Sequence, residues 1–459
     1  MLHRRDAMLR LGQFGLGALT LPQLLRADRL RAAAPKNPMR RADKRAKSCI
    51  LIYLWGGPPQ QDLWDMKPHS PTAMRSLFKP IPTATPGIEV CEHLPNFARQ
   101  TDKMAIIRSL THDSNNHEPS VYRTLTGRIN NTLVVPRNQR NRLDGPNLGS
   151  IVSTFSEPGV LPAAVTIPRP IGHSGVTYSG THAGWLGAKH DPMEIAAAAG
   201  GSTEQPTHTM ALPDDLSNTR LLARQGLVRT INQVERRFDQ FAASRSIDDY
   251  RDQAVRMLSS AVAQNAFNLD KEDPRTRDKY GRNEWGESML LARRLVEAGV
   301  RLVTISWMTV LTNGVVSNVW DNHAGTNMLT ELYCLKSLDP GFAALMDDLS
   351  DRGLLDDTLV AMYGEFGRTP LLNSTQGRDH WGRVQTAVLA GGGIQGGQVY
   401  GSSDKDAAYP ASNPVSPEDM LATIYYSLGI DPDAELRDPL GRPHRVVEGT
   451  PLTALFQVG

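Results

Sequence analysis

Four short stretches of the chain gather side chains able to bind a cation or move a proton. Residues 56–65 (GGPPQQDLWD) hold Gln61 and Asp62 in a loop of glycine and proline, where Asp62 is either a ligand or the cap of the following turn. Residues 112–128 (HDSNNHEPSVYRTLTGR) bring His112 and His117 together with Asp113 and Glu118, a clustering that favours a ligand or base over simple loop bracing. Trp320-Asp321-Asn322-His323 contains an Asp-x-His pair, which can offer one oxygen and one imidazole nitrogen to a divalent ion of the zinc or manganese kind. Residues 364–369 (GEFGRT) and 377–381 (GRDHW) add Glu365, Arg368, Arg378, Asp379 and His380.

These residues need a frame that brings distant parts of the chain together. Residues 48–55 (SCILIYLW) form a nearly unbroken apolar run that stops at Gly56-Gly57-Pro58-Pro59, the pattern of a buried parallel strand running into a loop. Comparable runs occur at 104–108, 163–167, 300–306, 358–363 and 384–390. Helical stretches at about 288–298, stopped by Gly299, and at 341–352, stopped by Gly353, each lead straight into one of them. The alternation predicts an α/β fold with a mainly parallel sheet flanked by helices on both faces. In such sheets ligands sit beyond the carboxyl ends of the strands, where these polar stretches fall. Residues 213–268 change to a charged, helix-period pattern and read as a helical insertion, with Glu235, Arg236 and Arg237 on a solvated face. The glycine-rich stretch 391–397 lacks a P-loop lysine and reads as a loop of close backbone packing.

The second stretch resembles the sulfatase signature: Pro119-Ser120 and Thr126-Gly127-Arg128 stand at matching spacing, with His117 in the nucleophile slot and Val121 in the arginine slot. Imidazole cannot become the formylglycine of a sulfatase, so His117 is expected to act as a ligand, a base or an unusual nucleophile. Asp321 and His323 resemble the mid-chain metal ligands of the sulfatase and alkaline phosphatase superfamily. Glu365 takes a ligating Asp slot, Phe366 replaces the neighbouring histidine, and His380 is the best candidate for a later ligand. Residues 415–430 resemble the C-terminal helix of sulfatases. The phrases LWGGPPQQD, LLARRLVEAGVR, WDNH, LLDDTLVAMYGEFGRTP, GRDHWG and AGGGIQGGQVYG are similar to the bacterial family catalogued as domain of unknown function 1501, over about 48–453. Membership implies an alkaline-phosphatase-like core and brings no established activity.

The resemblance implies Asp321, His323, Glu365 and His380 around one or two divalent ions (zinc, manganese, calcium or magnesium), with Asp379 and Asp62 as further candidates. Arg128, Arg368 or Arg378 would hold anionic oxygens, although in sulfatases the arginine at the Arg128 position often supports the nucleophile loop. The expected activity is hydrolysis of sulfate or phosphate esters on an anionic ester or a sulfated polysaccharide. The alternative is a non-catalytic relative that binds acidic polysaccharide or a protein partner.

Composition narrows the setting. Lys and Arg number 50 against 48 Asp and Glu, so no overall basic field points to nucleic acid. The 3 cysteines, Cys49, Cys91 and Cys334, are too few and too far apart for a disulfide framework or a thiolate zinc site. Arg4-Arg5, the moderately apolar 9–25 and Ala32-Ala33-Ala34 read as a twin-arginine signal peptide over 1–34, followed by a basic linker over 35–47. Gln13 and Gln23 interrupt that apolar stretch, so a stable membrane span is not expected. The protein is accordingly expected to pass through the twin-arginine export machinery to the periplasm or the extracellular space.

Overall fold

The apolar run at the start of the domain forms strand β1, Ser48–Tyr53, which is buried at every position. In this computed structural model the described residues are 46–130, 140–173, 176–195, 252–307, 309–310, 316–317, 320–321, 323–325 and 334–457. They belong to a unit spanning Lys44–Gly459. The expected signal peptide, nearly all of the linker and most of the helical stretch 213–268 lie outside them. The described end of that stretch is helical at 252–259 and at Ala261–Phe267.

The other strands of the central sheet are β2 (Met104–Leu110), β3 (Ala164–Ile167), β4 (Met193–Glu194), β5 (Leu302–Ser306), β6 (Thr358–Tyr363), β9 (Gln385–Ala390) and β10 (Gln398–Tyr400). Between β6 and β9 a small hairpin pairs β7 (Gly367–Arg368) with β8 (His380–Trp381). The 8-stranded sheet runs β10-β2-β9-β6-β1-β5-β3-β4. β1 pairs in parallel with β6 on one side and β5 on the other, Ile50 standing beside Val360 and Val303. Only β9 runs against its neighbours β6 and β2, so the sheet is mixed and mostly parallel, as the strand pattern predicts. β1, β6 and β9 are buried at all positions, which requires both faces of the sheet to be covered.

The covering helices include α1 (His117–Thr126), α2 (Leu148–Thr154), α3 (Ala261–Phe267), α4 (Pro274–Tyr280), α5 (Glu284–Glu297), α6 (Cys334–Asp351) and α7 (Pro417–Ser427). α5 starts four residues before the sequence expectation, because Asn283 caps it by accepting from the Trp285 and Gly286 N–H groups. α6 starts seven residues early and runs through Pro340. A proline removes one backbone donor and usually ends a helix, but here buried Leu335 and Leu338 before it and Phe342 after it pack as one apolar face. α7 is fixed by a capping box between Ser416 and Asp419. Among the described residues no helix is long and apolar enough to cross a membrane. Cys49, Cys91 and Cys334 are free and buried.

Because β1, β2, β5 and β6 run in the same direction, the segments that follow them leave one edge of the sheet. Gly56-Gly57 follows β1, His112 to His117 follows β2, Asp321 lies downstream of β5, and Glu365-Phe366 follows β6. Gly57 is required there: its φ is +78°, and a Cβ would stand 2.5 Å from the Phe366 ring.

Candidate metal centre

His117 is the first residue of α1 and is placed by the loop after β2. Within that loop His112 is buried; its Nε2–H donates to the Glu365 carbonyl at 2.5 Å, and its Nδ1 accepts from Ser114 N–H at 3.2 Å. The β2 and β6 loops are thereby pinned together. Asp321 is held from below by Arg368, whose Nη2 donates to its Oδ1 at 2.6 Å. The backbone carbonyl of His323 accepts from Asn373 Nδ2 at 2.9 Å and Thr375 Oγ1 at 2.7 Å, tying its segment to the loop before β8.

On this frame three imidazoles and a carboxylate converge. His117 Nε2 faces Asp321 Oδ2 at 3.2 Å, and His380 Nε2 faces Asp321 Oδ1 at 2.9 Å. His323 Nε2 lies 3.0 Å from Asp321 Oδ1 and 3.0 Å from His380 Nε2. His117, Asp321 and His380 offer ligand atoms that all lie within 4.8 Å of one another. The opposite ring nitrogens are engaged elsewhere. His117 Nδ1 donates to Glu365 Oε1 at 2.7 Å, His323 Nδ1 to Asp379 Oδ1 at 2.9 Å, and His380 Nδ1 to the Asn115 carbonyl at 3.0 Å.

This donor set fits a divalent cation. Each Nδ1 faces an oxygen acceptor and each Nε2 lies 2.9–3.2 Å from an Asp321 oxygen, so a ring that keeps its proton on Nδ1 has an Nε2 lone pair to offer an ion. Two nitrogens bound to one tetrahedral zinc-like ion at about 2.0–2.1 Å stand about 3.3 Å apart, a little wider than the His323–His380 separation of 3.0 Å. Trp55 and Phe366, both buried, wall the site, with ring centroids 5.6 and 5.0 Å from that of His117. Phe366 also lies 4.5 Å from His380.

Several residues singled out in the sequence are placed differently from expectation. Glu365 is fully buried; both its oxygens accept from Gly56 N–H, at 2.8 and 2.9 Å, and one accepts from His117, so it orients a ligand instead of facing the shared space. Asp379 stands one contact out in the same way, behind His323. Asp62 is no part of the cluster: its carboxylate takes a forked bond from Arg378, at 2.8 and 3.1 Å, with both side chains buried. That bond, with donation to the Thr369, Pro370 and Met74 carbonyls, also occupies the guanidinium expected to hold an anion. Arg368 adjoins the cluster, but its donors serve the Gly56, Gly57, Trp320 and Arg378 carbonyls as well as Asp321, and its Nη1 lies 3.4 Å from His323 Nε2. Arg128 donates to the Arg445 carbonyl and lies 5.8 Å over the Trp185 ring, bracing the chain after α1. The Asn115 carbonyl and the Gly56 N–H had no sequence signal, because any residue supplies those atoms.

The electrostatics follow the geometry. Burial lowers the pKa of His117, but the Asp321 and Glu365 carboxylates outweigh it and push it up to about 9. Burial holds His380 below the ordinary imidazole value despite Asp321. Burial opposes ionisation of Asp321, yet His117, His380 and Arg368 hold its carboxyl well below the usual carboxylate range. Asp379 is lowered by its bond from His323.

The sheet and its flanking helices define an α/β protein whose polar cluster lies beyond the strand ends. The chain belongs to the family described as "Protein of unknown function (DUF1501)", which matches residues 46–456. No curated protein matches it. Among solved structures it is similar to a Bacteroides thetaiotaomicron protein from work on the metabolism of multiple glycosaminoglycans, at 10% identity over 90% of this chain and 82% of that one, TM-score 0.43. It is also similar to a phosphonate monoester hydrolase from Silicibacter pomeroyi, at 13% identity over 90% and 76% of the two chains, TM-score 0.36. A sulfatase from Pseudoalteromonas sp. matches at 12% identity over 88% and 72%, TM-score 0.37. These likenesses assign no side chain a role here.

Proposed function

We propose that the protein is an exported, metal-dependent hydrolase of sulfate or phosphate esters. The observation that carries this reading is the convergence of His117, Asp321, His323 and His380 at the carboxyl edge of the sheet, each imidazole anchored through its far nitrogen. A bound dication there would polarise an ester oxygen and stabilise charge on the leaving group. Glu365, Asp379 and the Asn115 carbonyl keep the ligand lone pairs aimed inward, and Arg368 holds Asp321 in register. Trp55 and Phe366 exclude water from one side, which strengthens every charge interaction in the site. The substrate is an anionic ester, a sulfated polysaccharide included, and export follows from the paired arginines and apolar stretch at the N-terminus.

A second reading, a non-catalytic relative that acts through a protein partner, is favoured by one observation. Arg368 and Arg378 are saturated by their own neighbours, so neither is placed to grip an anionic ester. Turnover decides between the two. The hydrolase reading expects the metal-loaded protein to cleave an aryl phosphate or aryl sulfate, and His380→Ala to abolish cleavage while sulfated polysaccharide is still retained. Retention of the polysaccharide without cleavage of either ester by the metal-loaded protein overturns it.

A further inference from the structure

We infer that Glu118 and Tyr178 form a recognition pair beside the candidate metal centre, the phenol donating to, and the carboxylate accepting from, one hydroxyl on the alcohol part of an ester substrate. The inference rests on the reading of the neighbouring cluster as an ester site, and it names the substrate class: esters of polyhydroxylated alcohols, sugars included.

Helix α1 sets the pair. Glu118 is its second residue and only 8% exposed, and Tyr122, one turn later, shares its face of the helix. The segment that carries Tyr178 lies against that helix. Gly180, at φ +76°, comes so near that a Cβ would stand 2.8 Å from the Tyr122 ring and 3.0 Å from its Cα. Tyr178 is 2% exposed, its ring edge-on to Trp55 at 5.7 Å, and Trp55 also meets the His117 ring at 5.6 Å. The Tyr178 backbone is fixed as well: its N–H donates to the Ile171 carbonyl at 3.0 Å, and its carbonyl accepts from Thr181 Oγ1 at 2.6 Å.

The fold leaves the two polar ends unmatched. The hydroxyls of buried Tyr53, Tyr122 and Tyr280 meet Thr124, the Gly145 N–H and Asp348. Among the described residues neither the Tyr178 hydroxyl nor the Glu118 carboxylate has a hydrogen-bond partner, and neither is sealed from solvent. Polar groups held this deep are costly to leave unpaired, so a ligand that completes their bonding gains what the fold forgoes.

The chemistry of the ligand follows from the pair. Burial, then the charges of Glu118, Glu365 and Asp321, keep the phenol protonated, so it serves as a donor. The Glu118 carboxylate supplies an acceptor and turns a sulfuryl or phosphoryl group away. A hydroxyl accepts from the first and donates to the second. The anionic end of the ester thus falls to the cation site and the alcohol end to this pair.

The test compares the zinc-loaded full chain with Tyr178→Phe and Glu118→Gln, which keep the shapes of both side chains. The probes are a panel of monosaccharide sulfates and phosphates, with an aryl sulfate and an aryl phosphate that carry no hydroxyl. Cleavage is followed kinetically and binding of the sugar esters by calorimetry. Wild type should favour sugar esters in kcat/KM, and each variant should lower that preference about tenfold through KM, with zinc content unchanged. Cleavage of the aryl esters alone, or a preference that neither variant lowers, overturns this inference and leaves the hydrolase reading standing. Sugar esters bound but not cleaved, with binding weakened about tenfold by the substitutions, support the inference and overturn the hydrolase. Neither binding nor cleavage of any probe overturns both.

Discussion

Two dense polar clusters in this molecule are built from similar residue types and resolved in opposite ways. Between α4, α5 and α6, Arg293 reaches Glu272 at 2.6 Å, Glu297 at 2.7 Å and Asp348 at 2.8 Å. Arg294 adds a bond to Glu272, Arg352 bonds both Asp348 and Glu272, and the Tyr280 hydroxyl donates to Asp348 at 3.0 Å. Three guanidiniums answer three carboxylates, every charge has a partner, and the cluster is complete as a brace between helices. At the sheet edge three imidazoles crowd one carboxylate, Asp321, which also takes a bond from Arg368. The first cluster matches guanidinium with carboxylate, whereas the second gathers nitrogen and oxygen atoms able to ligate a cation, so the kind of atom brought together, more than the density of charge, separates a brace from a candidate binding site.

Five measurements separate the two clusters. The largest effect is expected from Arg293→Met: removing a guanidinium with only 1% side-chain exposure strands buried carboxylates and should cost about 3–5 kcal/mol in denaturant unfolding. Zinc content per chain should not change, and a parallel loss of zinc would show the two clusters to be one unit. Chelation should act on the other cluster alone. With free zinc at about 100 times Kd, adding chelator should remove about 2.7 kcal/mol of stability, by the same amount in wild type and in Arg293→Met. An unchanged Tm on chelation would count against any ion at the sheet edge.

Next, His323 is the most exposed of the imidazoles, at 44%, so His323→Ala should retain zinc about tenfold better, or about 1.4 kcal/mol, than His380→Ala in a competition titration. Equal losses would place the two rings on a par. The clusters should also part on acidification. Protons compete for the Nε2 lone pairs, so zinc per chain after dialysis should fall as the pH is lowered below neutrality. The helix brace should persist further. Burial opposes ionisation of Glu272, but Arg293 and Arg294 outweigh it and hold its carboxyl below the ordinary 4.5. A depressed carboxylate contributes stability above its unfolded pKa and loses it only as pH falls through the lower folded value. Unfolding that precedes zinc release in an acid titration would contradict this order. The smallest effect belongs to the exposed Lys47–Asp357 pair: Lys47→Ala should change stability by less than about 1 kcal/mol and leave zinc untouched.

Much of the frame was legible in the sequence because apolar runs must be buried. Residues 358–363 emerge as β6 without a shift, and residues 104–108 lie inside β2. Helix starts were less legible, since Asn283 as a cap and Pro340 as an interior residue depend on their neighbours in space. In the site, Asp321, His323 and His380 were marked by residue type and by their place after strands, and His117 was left as a ligand, a base or an unusual nucleophile. Asp62 and Arg378 were marked by the same reasoning, yet 316 positions apart they find each other and close as a buried pair.

Apolar runs alternating with helix-period stretches carried the α/β layering, and the polar residues after those runs marked the edge of the sheet where a site would lie, because both patterns are properties of local segments. The antiparallel course of β9, and which polar residues share a space, follow from contacts between segments far apart in the chain. A carboxylate can bind a cation, steer a histidine or pair with an arginine. Asp321, Glu365 and Asp62 stand in those respective positions here because of what folding brings within about 3 Å of each.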